Sequence, residues 1–237
     1  MAIWRWEKGI ELKEALLHML FPSLCFGCEE NTVDEDEMIC LSCRLTLPFT
    51  SIENIRNNSI EKLFWGRVPL QFASSTFYFT EKSAIQNIIH HIKYRDEKTL
   101  GIRMGEIMGE RLKDIFNTKQ IHCCIPMPLH PKKEKKRGYN QASLLCKGIQ
   151  NMTGIPYLEY AVERNHHTSS QTQKTRIERW ENVSSVFEVN DTSLIKKKNI
   201  VIVDDVITTG ASTESCAQIL LQQGAETVSV VSLAYTT

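Results

Sequence analysis

Two adjacent carboxylates, four hydroxyls and one glycine stand together in residues 200–213. Four apolar residues precede Asp204 and Asp205, and a Thr-Thr-Gly turn follows before a helical pattern begins. Carboxylates accept hydrogen bonds from vicinal hydroxyls and can help hold a divalent cation that those hydroxyls also bind. Free N–H groups at a helix N-terminus favour an anion, and Gly210 permits a close backbone approach. The pattern predicts a site for a sugar with neighbouring hydroxyls and a terminal phosphate.

The same stretch has a simpler interpretation, a strand end followed by an N-capped helix, in which Ser and Thr are common. A capped helix needs neither two adjacent acids nor a Thr-Thr-Gly turn, so capping alone does not explain this pattern. Because consecutive strand residues face opposite ways, both acids can face one ligand only if the chain turns at Asp205. A Walker P-loop is excluded, since the sequence contains no Gly-Lys-Ser or Gly-Lys-Thr.

A run of cations follows Pro126-Met-Pro128, where five of the residues 132–137 are Lys or Arg. Arg137 suits a phosphate ligand because its planar guanidinium can bind two oxygens at once. The alternative is a solvated charged loop, which is the usual fate of such runs.

Four cysteines form two Cys-x2-Cys pairs separated by eleven residues: Cys25, Cys28, Cys40 and Cys43. This spacing is typical of a structural zinc site with four thiolates. Two disulfides or a redox Cys-x2-Cys are the alternatives, and a reducing compartment disfavours the first. We expect zinc to stabilise a small segment that has almost no core of its own.

An α/β sheet must position these groups. Alternation and β-branched runs predict strands at 72–79, 121–125, 199–203 and 227–233. Helical periodicity predicts helices at 8–21, 85–92, 104–115, 142–152 and 212–223. Strands separated by helices indicate a parallel sheet that is covered on both faces. Its carboxyl edge is where ligands of such sheets bind.

Composition bounds the class of protein. The chain has 237 residues, of which 42% are hydrophobic and 24% charged, values that exclude a disordered or collagen-like chain. It carries 28 Lys+Arg and 28 Asp+Glu, so its net charge is zero. Residues 1–60 carry net charge −5 and the remainder +5. We predict a zinc-binding segment with an N-terminal helix over 1–60 and a second domain over 61–237. No apolar run approaches the ~18 residues of a membrane span, so we expect a cytoplasmic protein.

Residues 200–213 resemble the phosphoribosyl-pyrophosphate (PRPP) signature of type I phosphoribosyltransferases. The resemblance implies their fold, with Mg²⁺-bound PRPP held by Asp204 and Asp205 on the ribose hydroxyls. It places the 5′-phosphate against Thr208, Thr209, Gly210, Ala211, Ser212 and Thr213. Purine-salvage members often have Asp at the position of Thr208, and a threonine hydroxyl is a very poor base. The motif is closer to the orotate type, and the acceptor stays open.

Three further segments resemble the ComF family, which is associated with DNA uptake in bacterial competence. They are Pro126-x-Pro-Leu-His-Pro-Lys with Arg137-Gly-Tyr-Asn-Gln, His91-Ile-Lys93-Tyr-Arg95, and a polar stretch from Arg164 to Arg179. Arg137, Lys93 and Arg95 would then act catalytically by neutralising the leaving pyrophosphate. The polar stretch is interpreted as a lid that excludes water, through Arg164, Thr168, Gln171 and Arg179.

Two functions follow. In the first, the protein is an enzyme that transfers a phosphoribosyl group from PRPP and releases pyrophosphate. In the second, it binds PRPP or single-stranded DNA without turnover, and the zinc segment contacts DNA-uptake proteins. Tyr94, Tyr139 and Trp180 would supply stacking surfaces for DNA, although a net charge of zero disfavours strong nonspecific binding.

Overall fold

The computed structural model describes residues 22–34, 37–51, 57–164 and 186–236. The helix predicted at 8–21 lies outside these residues, as do the predicted lid residues Thr168, Gln171 and Arg179.

A parallel four-stranded sheet organises the described residues. The described residues contain six strands, four of which form this sheet. They are β1 (Ala73–Phe79), β2 (Cys123–Pro126), β3 (Val162–Arg164), β4 (Phe187–Val189), β5 (Asn199–Ile207) and β6 (Thr227–Thr236). The sheet has the order β1-β6-β5-β2, and all of its pairings are parallel. Strands β3 and β4 form a separate antiparallel pair. The predicted parallel sheet is confirmed.

Seven helices lie in the described ranges, together with a 3₁₀ turn at Thr192–Leu194. They are α1 (Leu41–Thr46), α2 (Ser59–Lys62), α3 (Ala84–Tyr94), α4 (Lys98–Thr118), α5 (Pro131–Arg137), α6 (Gln141–Thr153) and α7 (Ala211–Gln222). Among the helices that the structure describes, none combines the length and apolarity needed to cross a bilayer.

The central strand β5 is buried on both faces. Ile200 and Ile202 belong to one apolar cluster, which includes Cys216 and Leu220 of α7. Val201 and Val203 belong to a second cluster on the opposite face, together with residues of α3, α4 and α6. A strand covered on both faces needs an unbroken apolar run, which is the pattern in the sequence.

Two predicted boundaries are wrong. Strand β5 does not end at Val203, because β6 continues beside it and pairs Asp204 with Ser232 and Ile207 with Tyr235. The cationic run at 132–137 is not a loop but most of helix α5, which begins at Pro131 and ends at Gly138 with φ +80°. Proline suits the first turn of a helix and glycine its end.

Helices α4 and α6 pack backbone against backbone. A Cβ added to Gly105 would lie 2.2 Å from the carbonyl oxygen of Leu145, and one added to Gly148 would lie 2.1 Å from that of Ile102. Only glycine fits at either position. This contact fixes the position of α6 against α4. The cationic helix α5 directly precedes α6 in the chain.

The cysteine-containing segment shares the core of the larger unit. Cys25, Ile39, Cys43 and Leu47 belong to the same buried cluster as Val231 of β6. The division into 1–60 and 61–237 stays a prediction.

Candidate functional site

The loop after β5 carries the hydroxyls singled out in the sequence. Thr208, Thr209, Ala211 and Ser212 are exposed, whereas Gly210 and Thr213 are buried. Gly210 has φ +72° and is the N-cap of α7, where no side chain caps the helix. Of the first-turn N–H groups, that of Ala211 donates to Thr209 Oγ1 at 3.5 Å, and Gly210 offers no side chain to cap the others, so this helix end is suited to an anion.

Asp204 and Asp205 point away from each other. The strand does not turn at Asp205, and its carboxylate Oδ2 lies 3.1 Å from Nζ of Lys93 on α3. Both of those side chains are about one-fifth exposed. Asp204 faces α7, where the Thr213 hydroxyl acts to lower the pKa of its carboxyl. The sequence argument required a turn to bring both acids to one face, and that turn is absent from β5.

The environment of Asp204 favours its protonated form. Burial and, after it, the neighbouring charge of Asp205 together raise the pKa of the Asp204 carboxyl to about 7. The Asp205 backbone N–H, which donates to Asp204 Oδ1 at 2.8 Å, opposes the rise, as do Lys93 and Thr213. A cation or hydroxyl donor placed here would stabilise the carboxylate.

A segment not predicted to be functional supports the loop. The Phe64 ring would lie 2.9 Å from a Cβ added to Gly210. Arg67 donates from Nη1 to the Thr209 carbonyl at 3.2 Å and pairs through Nη2 with Glu214 of α7. The sequence gives no signal for these residues, because their contacts with the loop join positions more than 140 residues apart and belong to no local motif.

Cations from α3 and α5 line an open cavity of about 420 Å³. Its lining residues are Lys93, Tyr94, Asp96, Lys133, Lys136, Arg137 and Tyr139. Arg137 donates to Gln141 Oε1 at 2.7 Å, and its guanidinium lies 5.2 Å from the centre of the Tyr94 ring. Lys93 also belongs to the ion pair with Asp205, so the cavity adjoins the strand acids.

Two predicted site residues lie apart from this cavity. Arg95 is exposed just after α3 and is not among the described residues that line it. Arg164, in β3, lies over the Phe187 ring at 5.6 Å and lines a separate, smaller cavity with Tyr160. The structure thus brings Arg137 and Lys93 together and leaves Arg95 and Arg164 outside.

The sulfur atoms of Cys25, Cys28, Cys40 and Cys43 all lie within 4.8 Å of one another. A tetrahedron of Zn–S bonds of about 2.3 Å needs edges of about 3.8 Å, so the cluster is close to this size. All four residues are free thiols, which disfavours the disulfide alternative.

Backbone and amide N–H groups surround these sulfurs. Cys25 Sγ accepts from Gly27 N at 3.3 Å and from Cys40 N at 3.2 Å. Asn31 Nδ2 donates to Cys40 Sγ at 3.3 Å. This bond and, after it, the one from the Cys43 backbone N–H lower the pKa of Cys40 to about 6, whereas burial raises the pKa of the Cys43 thiol. A Cβ on Gly27 would lie 2.9 Å from Cys43 Sγ. The four clustered sulfurs fit a metal ion.

Comparison with known proteins agrees with this architecture. Residues 135–236 match the Phosphoribosyl transferase domain family. The chain is 26% identical over 227 residues to Competence protein F of Haemophilus influenzae, covering 92% of this chain and 93% of that protein. It is 34% identical over 146 residues to the DNA utilization protein YhgH of Shigella flexneri, covering 60% of this chain and 63% of that protein.

Among solved structures, an allosteric regulatory enzyme of purine biosynthesis is similar with a TM-score of 0.40 and 19% identity. The similarity covers 60% of this chain and 30% of that one.

Proposed function

Because this chain carries a phosphoribosyl transferase domain and is a homologue of a competence protein, we propose that it transfers a phosphoribosyl group. The donor is PRPP, the leaving group is pyrophosphate, and the acceptor is a nucleophile such as a nucleobase. We include in the proposal a cytoplasmic location and a role in DNA uptake.

The end of β5 supports PRPP binding. In the proposal, the exposed turn at Thr208, Thr209 and Ser212 binds the 5′-phosphate, with Gly210 leaving room for it. Asp205 binds the ribose hydroxyls after its pair with Lys93 opens. Asp204 faces α7 on the other side of the strand, so in the proposal Asp205 contacts the ribose and Asp204 does not. A helix N-terminus with free N–H groups suits a phosphate dianion.

The observation that carries the proposal is the cationic cavity that adjoins these acids. A pyrophosphate leaving group of several negative charges needs cations placed where that charge develops. Arg137 offers two parallel donors, and Lys133, Lys136 and Lys93 add positive charge around the same space. Lys93 contacts Asp205 in one direction and the cavity in the other, so it joins the ribose site to the leaving-group site.

Two metals belong to the proposal. The carboxylate oxygens of Asp205 suit Mg²⁺, which would offset the charge of the phosphates when PRPP is bound. The four cysteine sulfurs suit Zn²⁺, and since all four ligands come from the protein this ion is structural.

Calorimetric titration with PRPP and MgCl₂ tests the first step. We expect binding by the wild-type chain and at least a tenfold weaker affinity for Asp205→Ala, since a hydrogen bond to a charged group contributes ~1.5–3 kcal/mol. Asp114→Ala, an exposed acid on α4, is the matched control. Absence of binding at millimolar PRPP contradicts the proposal. Pyrophosphate release with a panel of nucleobases then separates transfer from binding alone.

Binding of single-stranded DNA is a second candidate function, because two tyrosines stand among the cations of the cavity. Tyr94 and Tyr139 offer ring faces for bases, and Lys133 and Lys136 offer charge for the backbone. A gel shift that weakens with salt and is lost on replacing Lys132, Lys133, Lys135 and Lys136 by Ala would support it. A shift unaffected by these substitutions would exclude this surface.

A further inference from the structure

The cysteine-containing segment is attached along one face of helix α3. We call residues 22–34 and 37–47 the cysteine knuckle. Asn87 of α3 donates from Nδ2 to the Gly27 carbonyl oxygen at 2.7 Å. His91 Nε2 lies 2.7 Å from Oε1 of Glu29, and its ring meets the Phe26 ring edge-on at 4.9 Å.

These contacts repeat at helical spacing. The Cβ of Ala84, in the first turn of α3, lies 3.1 Å from the position a Cβ on Gly27 would occupy. Residues 84, 87 and 91 are separated by three and four positions, so they share one side of the helix. The knuckle therefore runs beside α3 from its first turn to its last. The contacted residues Gly27 and Glu29 flank Cys28, one of the four clustered cysteines.

The C-terminal end of the same helix belongs to the candidate active site. Lys93, two residues after His91, pairs with Asp205 at 3.1 Å. The carbonyl oxygen of Ile92 accepts a hydrogen bond from the hydroxyl of Tyr139, which lines the cationic cavity. One rigid helix of 11 residues thus contacts the knuckle on its side and the site at its end.

We propose that the metal-loaded knuckle positions helix α3, and through it Lys93, for phosphate binding. Asn87 and His91 are the positioning residues, and neither contacts the ligand. This inference rests on the proposed function for its readout with phosphates. The knuckle would then be a functional part of the site, because loss of its metal moves or loosens Lys93. That cation lies about 9 Å along the helix from Asn87, at a helical rise of 1.5 Å per residue.

Hydrogen exchange tests the mechanical link without any phosphate ligand. The full chain is loaded with zinc, and a second sample is stripped by a chelator at the same pH. We expect the backbone amides of residues 89–95 to exchange faster in the stripped sample, while those of β5 and β6 keep their protection. Unchanged exchange at 89–95 overturns the proposal.

Variants test the functional link. His91→Ala and Asn87→Ala are titrated with magnesium pyrophosphate and with magnesium PRPP, and zinc is quantified by a colorimetric chelator. We expect full zinc content and an affinity reduced about fivefold to tenfold, within the usual range of coupling between sites. His91→Gln, which keeps a donor for Glu29, should recover most of the affinity. His90→Ala, at an exposed position of the same helix, is the matched control.

Each outcome decides one point. Unchanged affinity in both variants overturns the proposal. A loss of affinity that appears only together with loss of zinc overturns the assignment of Asn87 and His91 as the positioning residues. If the wild-type chain binds neither phosphate, the proposed function is wrong, and the exchange experiment alone decides whether the knuckle positions α3.

Discussion

Replacing Asp204 by Asn should make the protein more stable. The side chain lies beside Asp205, Thr213 and Cys216, and burial is the largest cause of its raised pKa. Asparagine has nearly the same shape, and its oxygen can still accept the hydrogen bond from the Asp205 backbone N–H. The substitution therefore removes a titrating group while it keeps the local geometry.

The sign and size follow from proton binding. The carboxyl has a pKa near 7 in the folded chain and an ordinary value of 3.8 otherwise, so the folded state holds the proton more tightly. Between these values stability falls as pH rises, because ionisation is easier in the unfolded chain. The stability advantage of the Asn variant should be at most about 3 kcal/mol at pH 6 and about 4 kcal/mol at pH 8.5.

Urea unfolding of both proteins at pH 6, 7 and 8.5 measures this difference, in a range where thiolate ligands stay deprotonated enough to hold a metal. The widening of about 1 kcal/mol between pH 6 and 8.5 is the diagnostic quantity, since a pH-independent packing change cannot produce it. Asp114→Asn, exposed on α4, should change stability by less than about 0.5 kcal/mol. A constant difference, or a variant less stable than the wild type at pH 8.5, would refute the reasoning.

Three other results are expected. Gly210→Ala should lower the melting temperature more than Gly66→Ala, because both have positive φ but only Gly210 has an aromatic ring in the way of a Cβ; equal shifts would contradict the packing. Gly105→Ala should destabilise the fold by about 3 kcal/mol or more in urea unfolding, since its Cβ would overlap the backbone of Leu145, and a loss under 1 kcal/mol would contradict that contact. Arg137→Ala should weaken magnesium pyrophosphate at least tenfold by calorimetry, because a bidentate charged donor is lost, and unchanged affinity would remove this residue from the leaving-group site.

Local pattern was enough to predict the fold class and the cysteine cluster. Apolar runs separated by amphipathic helices predict a parallel sheet, which the strand pairings confirm. The type I phosphoribosyltransferase fold is implied by the resemblance of residues 200–213, and residues 135–236 match the Phosphoribosyl transferase domain family. The two Cys-x2-Cys pairs meet because each is a short local turn, so only one loop had to close between them.

Features that depend on distant pairing were not accessible from the sequence. The divergence of Asp204 and Asp205 depends on how far β6 extends beside β5, which no residue within β5 specifies. The support of Thr209 by Arg67 joins positions 142 apart, and a solvent-facing arginine is too common to single out. Lys93 and Arg95 are two cations of the same short segment, and nothing in the sequence distinguishes their roles. In the structure Lys93 pairs with Asp205 and Arg95 does not.

The strand order has a consequence for synthesis. Strands β1 and β2 leave the ribosome first, but they occupy the two edges of the sheet and cannot pair with each other. Both central strands are made last, so β1 waits about 150 residues for β6, its partner. Until then the N–H and C=O groups that later pair with β6 are open to other nascent chains, and misassembly can compete with folding. We therefore expect truncation before residue 227 to yield aggregates and not a smaller folded protein.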